Sequence, residues 1–129
     1  MLHDTLVQYL SNVEYAIKSL DDVYIERYEE EILTSDRLNL RVRVRFTEGH
    51  LLELNEAVMV ESGSIRNLGY RYHFQNEKSK LVFRYDNTPH FPDLKTYPHH
   101  KHLANDVIPS QRPSIPAVVL EAVNNIAGM

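Results

Sequence analysis

The chain has 129 residues, with 14 Lys+Arg against 18 Asp+Glu for a formal net charge of -4, and it is 43% hydrophobic and 25% charged. That balance describes one folded domain over residues 1–129, not a disordered segment, and a domain of this size buries roughly two-thirds of the surface its unfolded chain exposes. Cysteine is absent, no apolar run exceeds four residues, and the opening MLHDTLVQYL has no basic region leading into an apolar block; disulfides, thiolate metal sites, a spanning helix and a secretory signal are excluded, and a cytoplasmic chain is expected.

Charge is unevenly placed. Residues 1–36 hold nine acids and two bases, residues 37–88 nine bases and six acids, and residues 89–129 three of each. The last zone also contains all six prolines and four of the seven histidines. Leu2, Leu6, Leu10, Val13, Ile17 and Leu20 recur at spacings of three and four, which predicts an amphipathic helix over residues 2–20 that ends at Asp21-Asp22.

Residues 23–87 read as a sheet. VYIERYEEEILT is rich in β-branched and aromatic residues and predicts a strand over 23–34. Leu38, Leu40, Val42, Val44 and Phe46 then alternate strictly with Arg37, Asn39, Arg41, Arg43 and Arg45. The Arg series has the look of a nucleic-acid footprint. If the preceding strand pairs with it, however, Glu29 and Glu31 face Arg41 and Arg43, and ordinary cross-strand ion pairs are the preferred reading.

A turn at Glu48-Gly49-His50 leads into Leu52, Leu54, Val58 and Val60. A two-residue loop would set Val44 against Glu53 and bury the acid, so a three-residue loop is expected, with Val44 opposite Leu52 or Leu54. Glu56 then points inward, which predicts a bulge nearby or a buried, partnered carboxylate. The runs YRYHFQ and LVFRYD form a hairpin in which Phe74 meets Leu81, Tyr72 meets Phe83 and Tyr70 meets Tyr85. Its other face carries Arg71, His73, Arg84 and Asp86. Prolines at 89, 92, 98, 109, 113 and 116 predict a long loop over 88–113, followed by a helix over 114–127 capped by Ser114 and stopped at Gly128. The expected fold is α+β: an antiparallel meander of about five strands covered on one face by the two terminal helices.

The chemistry concentrates in RYDNTPHFPDLKTYPHHKH, residues 84–102. Its His90, His99, His100 and His102 could move protons near neutral pH while Arg84 and Asp86 stabilise a phosphate and orient an imidazole, so these six are the candidate catalytic residues for metal-independent cleavage of RNA. Arg71, His73 and Lys101 are the candidate RNA contacts. In a competing reading His99 and His102, with Asp86 or His90, hold zinc or another divalent ion, although the spacing matches no defined signature and adjacent His99 and His100 point to opposite sides if extended. In a third, the histidines close the loop on backbone carbonyls, or the loop contacts a protein partner. No cofactor is otherwise implied. Tyr70, Tyr72 and Tyr85 are assigned to the core, and His3 and His50 to the solvated surface.

The run YRYHFQ followed by LVFRYDNTPHFPDLKTYPHHKH resembles the TumE-like proteins of toxin–antitoxin loci, over roughly residues 23–120. The segment LNLRVRVRFTEGHLLELNEAV is similar to that family's F-x-D/E-G-x-x-L hairpin, with Glu48 at the acidic turn position. Matching positions are Tyr72, His73, Arg84, Tyr85, Asp86, Asn87, Pro89, His90, Pro98, His99, His100 and His102. The resemblance implies a small toxin with a helix-turn-helix antitoxin as its partner. It does not choose between nuclease and metal chemistry.

Overall fold

The computed structural model describes residues 1–128. In chain order the elements are α1 (Asp4–Lys18), β1 (Val23–Thr34), β2 (Arg37–Phe46), β3 (Leu51–Glu61), β4 (Ser64–Gln75), β5 (Leu81–Asp86), β6 (His100–Leu103), β7 (Asp106–Pro109) and α2 (Ile115–Ala127). The strands form one antiparallel sheet in strict sequential order, β1 to β7. The α+β fold with terminal helices on one sheet face is as expected, with seven strands in place of about five.

Helix α1 buries Leu6, Leu10, Val13 and Ile17 against Leu40, Val42, Leu54, Tyr72 and Phe74 of the sheet, and α2 adds Ile115, Val118, Val119 and Ala122 to the same cluster. Each such side chain contributes about 1.5–3 kcal/mol on full burial. His3 is exposed but not idle: its Nδ1 caps α1 by accepting from the Thr5 amide at 3.1 Å. Ser114 caps α2 through the Ala117 amide, and Gly128 follows its last turn.

The hairpin between β2 and β3 sets Val44 opposite Leu52, as the burial argument required. The Phe46 amide donates to the His50 carbonyl, which leaves a three-residue loop with Gly49 at φ +99°. This closure carries the inward phase back to His50. The ring is therefore 3% exposed and stacked on Phe74 at 5.4 Å, not solvated as expected. Glu56 is 5% exposed and stands beside a register shift between Ala57 and Val58. It accepts from the hydroxyls of Tyr9 and Tyr72 and from Asn67 Nδ2 at 3.1 Å, while Arg112 Nη1 donates to the Tyr72 hydroxyl at 3.2 Å.

Two registers depart from expectation. Glu29 faces Arg41, but Glu31 faces Asn39, because in an antiparallel pair two residues forward along β1 are two residues back along β2, and Arg27 is what stands opposite Arg43. Arg43 instead meets Glu26 at 2.6 Å and Glu53 at 3.3 Å. In the next hairpin Phe74 faces Phe83 and Tyr72 faces Tyr85, two residues away from the predicted pairing. The Asn76 amide donates to the Lys80 carbonyl at 2.9 Å and its side chain accepts from the Lys78 and Lys80 amides, which closes a loop one residue shorter than the predicted pairing needs. An irregularity between Phe74 and Gln75 adds the second residue of the shift and restores the inward phase. The ladder then ends where Asn87 Oδ1 accepts the Tyr70 amide at 3.2 Å.

The segment expected to be loop over 88–113 contains β6 and β7. Their alternation is His100 and His102 against Lys101 and Leu103, which is not an apolar pattern, so periodicity is silent there. Residues 88–99 remain irregular, with a cis Tyr97–Pro98 bond. Among the described residues no helix is long and apolar enough to cross a membrane.

Candidate functional site

The face of the sheet away from the helices carries two transverse rows of polar side chains, set by register alone. One row runs Glu29, Arg41, Asn55, Arg71, Asp86, His100, and the next runs Arg27, Arg43, Glu53, His73, Arg84, His102. Glu26, Glu29 and Glu53 occupy Arg41, Arg43 and Arg45 of β2. Arg71 has no ionic partner among the described residues, although it stands directly opposite Asp86.

Asp86 is spoken for by its other neighbours. Its Oδ1 accepts the Thr88 amide at 3.0 Å and lies 2.9 Å from His100 Nε2. Its Oδ2 accepts from Arg84 Nε at 3.2 Å and lies 3.5 Å from His102 Nε2. The two imidazoles also meet each other, Nε2 to Nε2, at 3.0 Å. Phe91 closes the cluster from above, edge-on to His100 at 5.0 Å and to His102 at 5.8 Å.

One hydrogen bond orients His100. The Pro98 carbonyl can only accept, so at 2.9 Å it accepts from Nδ1 of His100. Nε2 is then the ring nitrogen turned toward the Asp86 carboxylate, 2.9 Å away. Burial, then the Arg84 guanidinium, holds His102 below the usual imidazole range, with Asp86 opposing. It stays neutral near pH 7 and is available as a base or a ligand.

The same geometry suits a metal. Donor atoms of Asp86, His100 and His102 all lie within 4.8 Å of one another. His100 Nε2 lies 2.9 Å from Asp86 Oδ1 and 3.0 Å from His102 Nε2, a little closer than the roughly 3.3 Å that separates ligands bound to a tetrahedral ion at about 2.0–2.1 Å. A backbone carbonyl on the far nitrogen of His100 is the usual support for a ligating imidazole. The trio differs from the sequence-based one, since His100 takes the place of His99.

The structure thus brings together Arg84, Asp86, His100 and His102, with Arg71 and His73 beside them. His73 faces Arg84, donates from Nε2 to Gln75 Oε1 at 2.9 Å, and leaves its buried Nδ1 unpaired. His90 is exposed, 6.4 Å from the Phe91 ring, and hydrogen-bonds to none of the cluster. Two expected residues lie elsewhere. His99 turns to the helix side, its Nδ1 2.9 Å from the Tyr70 hydroxyl and its ring stacked on Tyr70. Lys101 does the same: it pairs with Glu121 of α2 at 2.7 Å and sits 4.8 Å above the Tyr85 ring. Alternation along an extended chain places both of them opposite His100 and His102.

A family model described as toxin TumE matches residues 13–127. The chain belongs to the TumE toxin family. It is therefore the toxin component of a toxin–antitoxin pair, with an antitoxin as partner. No curated protein and no solved structure matches it.

Sequence reasoning missed one part of this candidate site. Phe91 lies inside the conspicuous segment and could have been found as the one phenylalanine among its histidines. The bond from His100 to the Pro98 carbonyl is of the kind the loop-closing reading expected of these histidines.

Proposed function

We propose that this toxin cleaves RNA at the cluster of Arg84, Asp86, His100 and His102. The observation that supports this reading is the convergence of two imidazoles, a carboxylate and a guanidinium on the helix-free face, with the unpaired Arg71 one strand away. Arg84 and Arg71 hold the scissile phosphate and stabilise its growing negative charge. The neutral His102 takes the proton of the 2′-hydroxyl as O2′ attacks phosphorus. The P–O5′ bond breaks, and the leaving oxygen receives a proton from His90 on the exposed loop. Asp86 and His100 are positioning residues that fix the His102 ring. A shallow groove of about 310 Å³, lined by Arg71, Asn55 and Arg41 over Ala57 and Gly69, gives the strand a path across the sheet.

A second reading has a specific observation behind it: donor atoms of Asp86, His100 and His102 lie within 4.8 Å of one another. These three side chains would hold a divalent ion of the zinc class, which would supply an activated water.

The test is incubation of the partner-free toxin with RNA, with and without chelator. Chelator-resistant cleavage, reduced about 10²–10⁴-fold by His102→Ala, is expected for the proton-transfer mechanism. Cleavage lost on chelation and restored by zinc transfers the chemistry to the metal. Absence of cleavage in both arms by folded protein overturns the nuclease assignment, and a weakened antitoxin complex in His102→Ala would then give the cluster a recognition role.

A further inference from the structure

Strand β1 occupies one edge of the sheet and pairs only with β2, so half of its backbone donors and acceptors have no strand to meet. Such an edge is normally shortened or hidden. The opposite edge, β7, is protected in this way by its four-residue length and terminal Pro109. β1 is twelve residues long and carries unusual apolar exposure, with Tyr24 71%, Ile25 39%, Ile32 57% and Leu33 47% accessible.

Beside it lies an apolar trough. The space between α1 and β1, about 290 Å³, is lined by Ile17, Ile25 and Tyr28, with Glu14, Lys18 and Glu30 around it. The Tyr28 hydroxyl is buried without a hydrogen-bond partner. Burial, then the neighbouring Glu14, pushes Glu30 above the usual carboxylate range; Glu14 is paired with Lys18 at 2.6 Å, so Glu30 is the acid of this rim left without a cation.

Charge narrows what can fill the site. Glu14 is paired with Lys18, Glu26 with Arg43 and Arg45, and Glu29 with Arg27 and Arg41, which leaves Glu30 at the trough without an ionic partner among the described residues. A second copy paired edge to edge about Glu30 would set two such carboxylates opposite each other, and like charges placed opposite in a sheet are destabilising. A segment alternating basic and apolar residues satisfies every feature at once. Its backbone extends the sheet, its apolar side chains enter the trough, and a cation meets Glu30.

We propose that the antitoxin docks on the β1 edge through an extended, basic and apolar segment. This rests on family membership and not on the nuclease assignment. The imidazole cluster begins at β5, four strands away in the sheet order, so the docked segment itself leaves the cluster uncovered.

The experiment compares hydrogen exchange of the toxin alone with that of its complex with co-expressed antitoxin. Edge-facing amides of β1 are expected to slow at least about tenfold in the complex, and Glu30→Lys to weaken it by about tenfold or more. A synthetic peptide of alternating Lys and Val is expected to protect the same amides and compete with the antitoxin, while its Glu/Val counterpart does neither. Urea melts establish that Glu30→Lys is folded. Protection confined to other strands overturns the proposal. So does β1 protection that appears in the free toxin as its concentration rises, which would identify a second copy as the occupant. RNA cleavage is read separately and bears on neither result.

Discussion

Replacing Glu56 by Ala removes an acceptor shared by the Tyr9 and Tyr72 hydroxyls and Asn67 Nδ2. Tyr72 is 0% exposed, so water cannot replace the carboxylate there. A buried donor left unsatisfied costs about 1–3 kcal/mol. Tyr9 and Asn67 are half-buried and recover part of their loss by admitting water. Arg112, which donates to the Tyr72 hydroxyl, loses a nearby countercharge as well. Relief from burying a carboxylate offsets part of this, and the net destabilisation expected is about 3–5 kcal/mol. Glu56→Gln keeps one acceptor oxygen and should cost about 1–2 kcal/mol. At about 4 °C per kcal/mol for a chain of this length, the Ala variant melts roughly 12–20 °C lower. Urea unfolding followed by circular dichroism measures the difference. A Glu56→Ala variant within about 0.5 kcal/mol of the parent would refute the reasoning, because changes that small are typical of unconstrained surface sites.

The glycines of two turns form a matched pair. Gly49 at φ +99° would place a Cβ 2.8 Å from Glu77 Cβ, whereas Gly63 at φ +78° has nothing within 4 Å. Gly63→Ala should therefore cost only the left-handed backbone strain of about 1–2 kcal/mol, and Gly49→Ala distinctly more, with equal costs in chemical denaturation counting against the steric account. Glu30 gives a pH-dependent test. Its folded-state proton affinity is raised, so the native state binds more protons than the unfolded one, and stability falls as pH rises through the folded value. Glu30→Gln should melt higher than the parent at pH 7, with the gap closing in acid once the parent carboxyl is protonated; a gap that widens in acid would reverse the assigned cause.

Much of the sheet was legible because burial penalises the alternatives. The β2 alternation admits one face to the core, and setting Val44 against Glu53 would have buried an acid, so Leu52 follows as the partner. The inward turn of Glu56 came from the same phase argument, though its donors did not: Tyr9 comes from a helix 47 residues away in sequence. The hairpin of β4 and β5 shows the limit. Its aromatic faces were readable, but the closure of the turn at Asn76 and Lys80 and an irregularity between Phe74 and Gln75 together moved the register by two residues without changing any face. Periodicity cannot detect such a move.

The sequence by itself determined the elements with one apolar and one polar side, the inward carboxylate, and the segment where the chemistry gathers. Hydrophobic burial is written in the order of residues, and each of those features follows from it. Tertiary structure decided which histidines act together. His100 and His102 share a face only because β6 joins the sheet beside β5, and that strand forms through backbone pairing with β5 and β7 rather than through apolar alternation. The same pairing sends His99 and Lys101 to the helix side and leaves Arg71 free, since Asp86 opposite it is held by partners from another strand. Backbone hydrogen bonds use atoms that every residue possesses, so the contacts that assemble the site carry no signature in residue type.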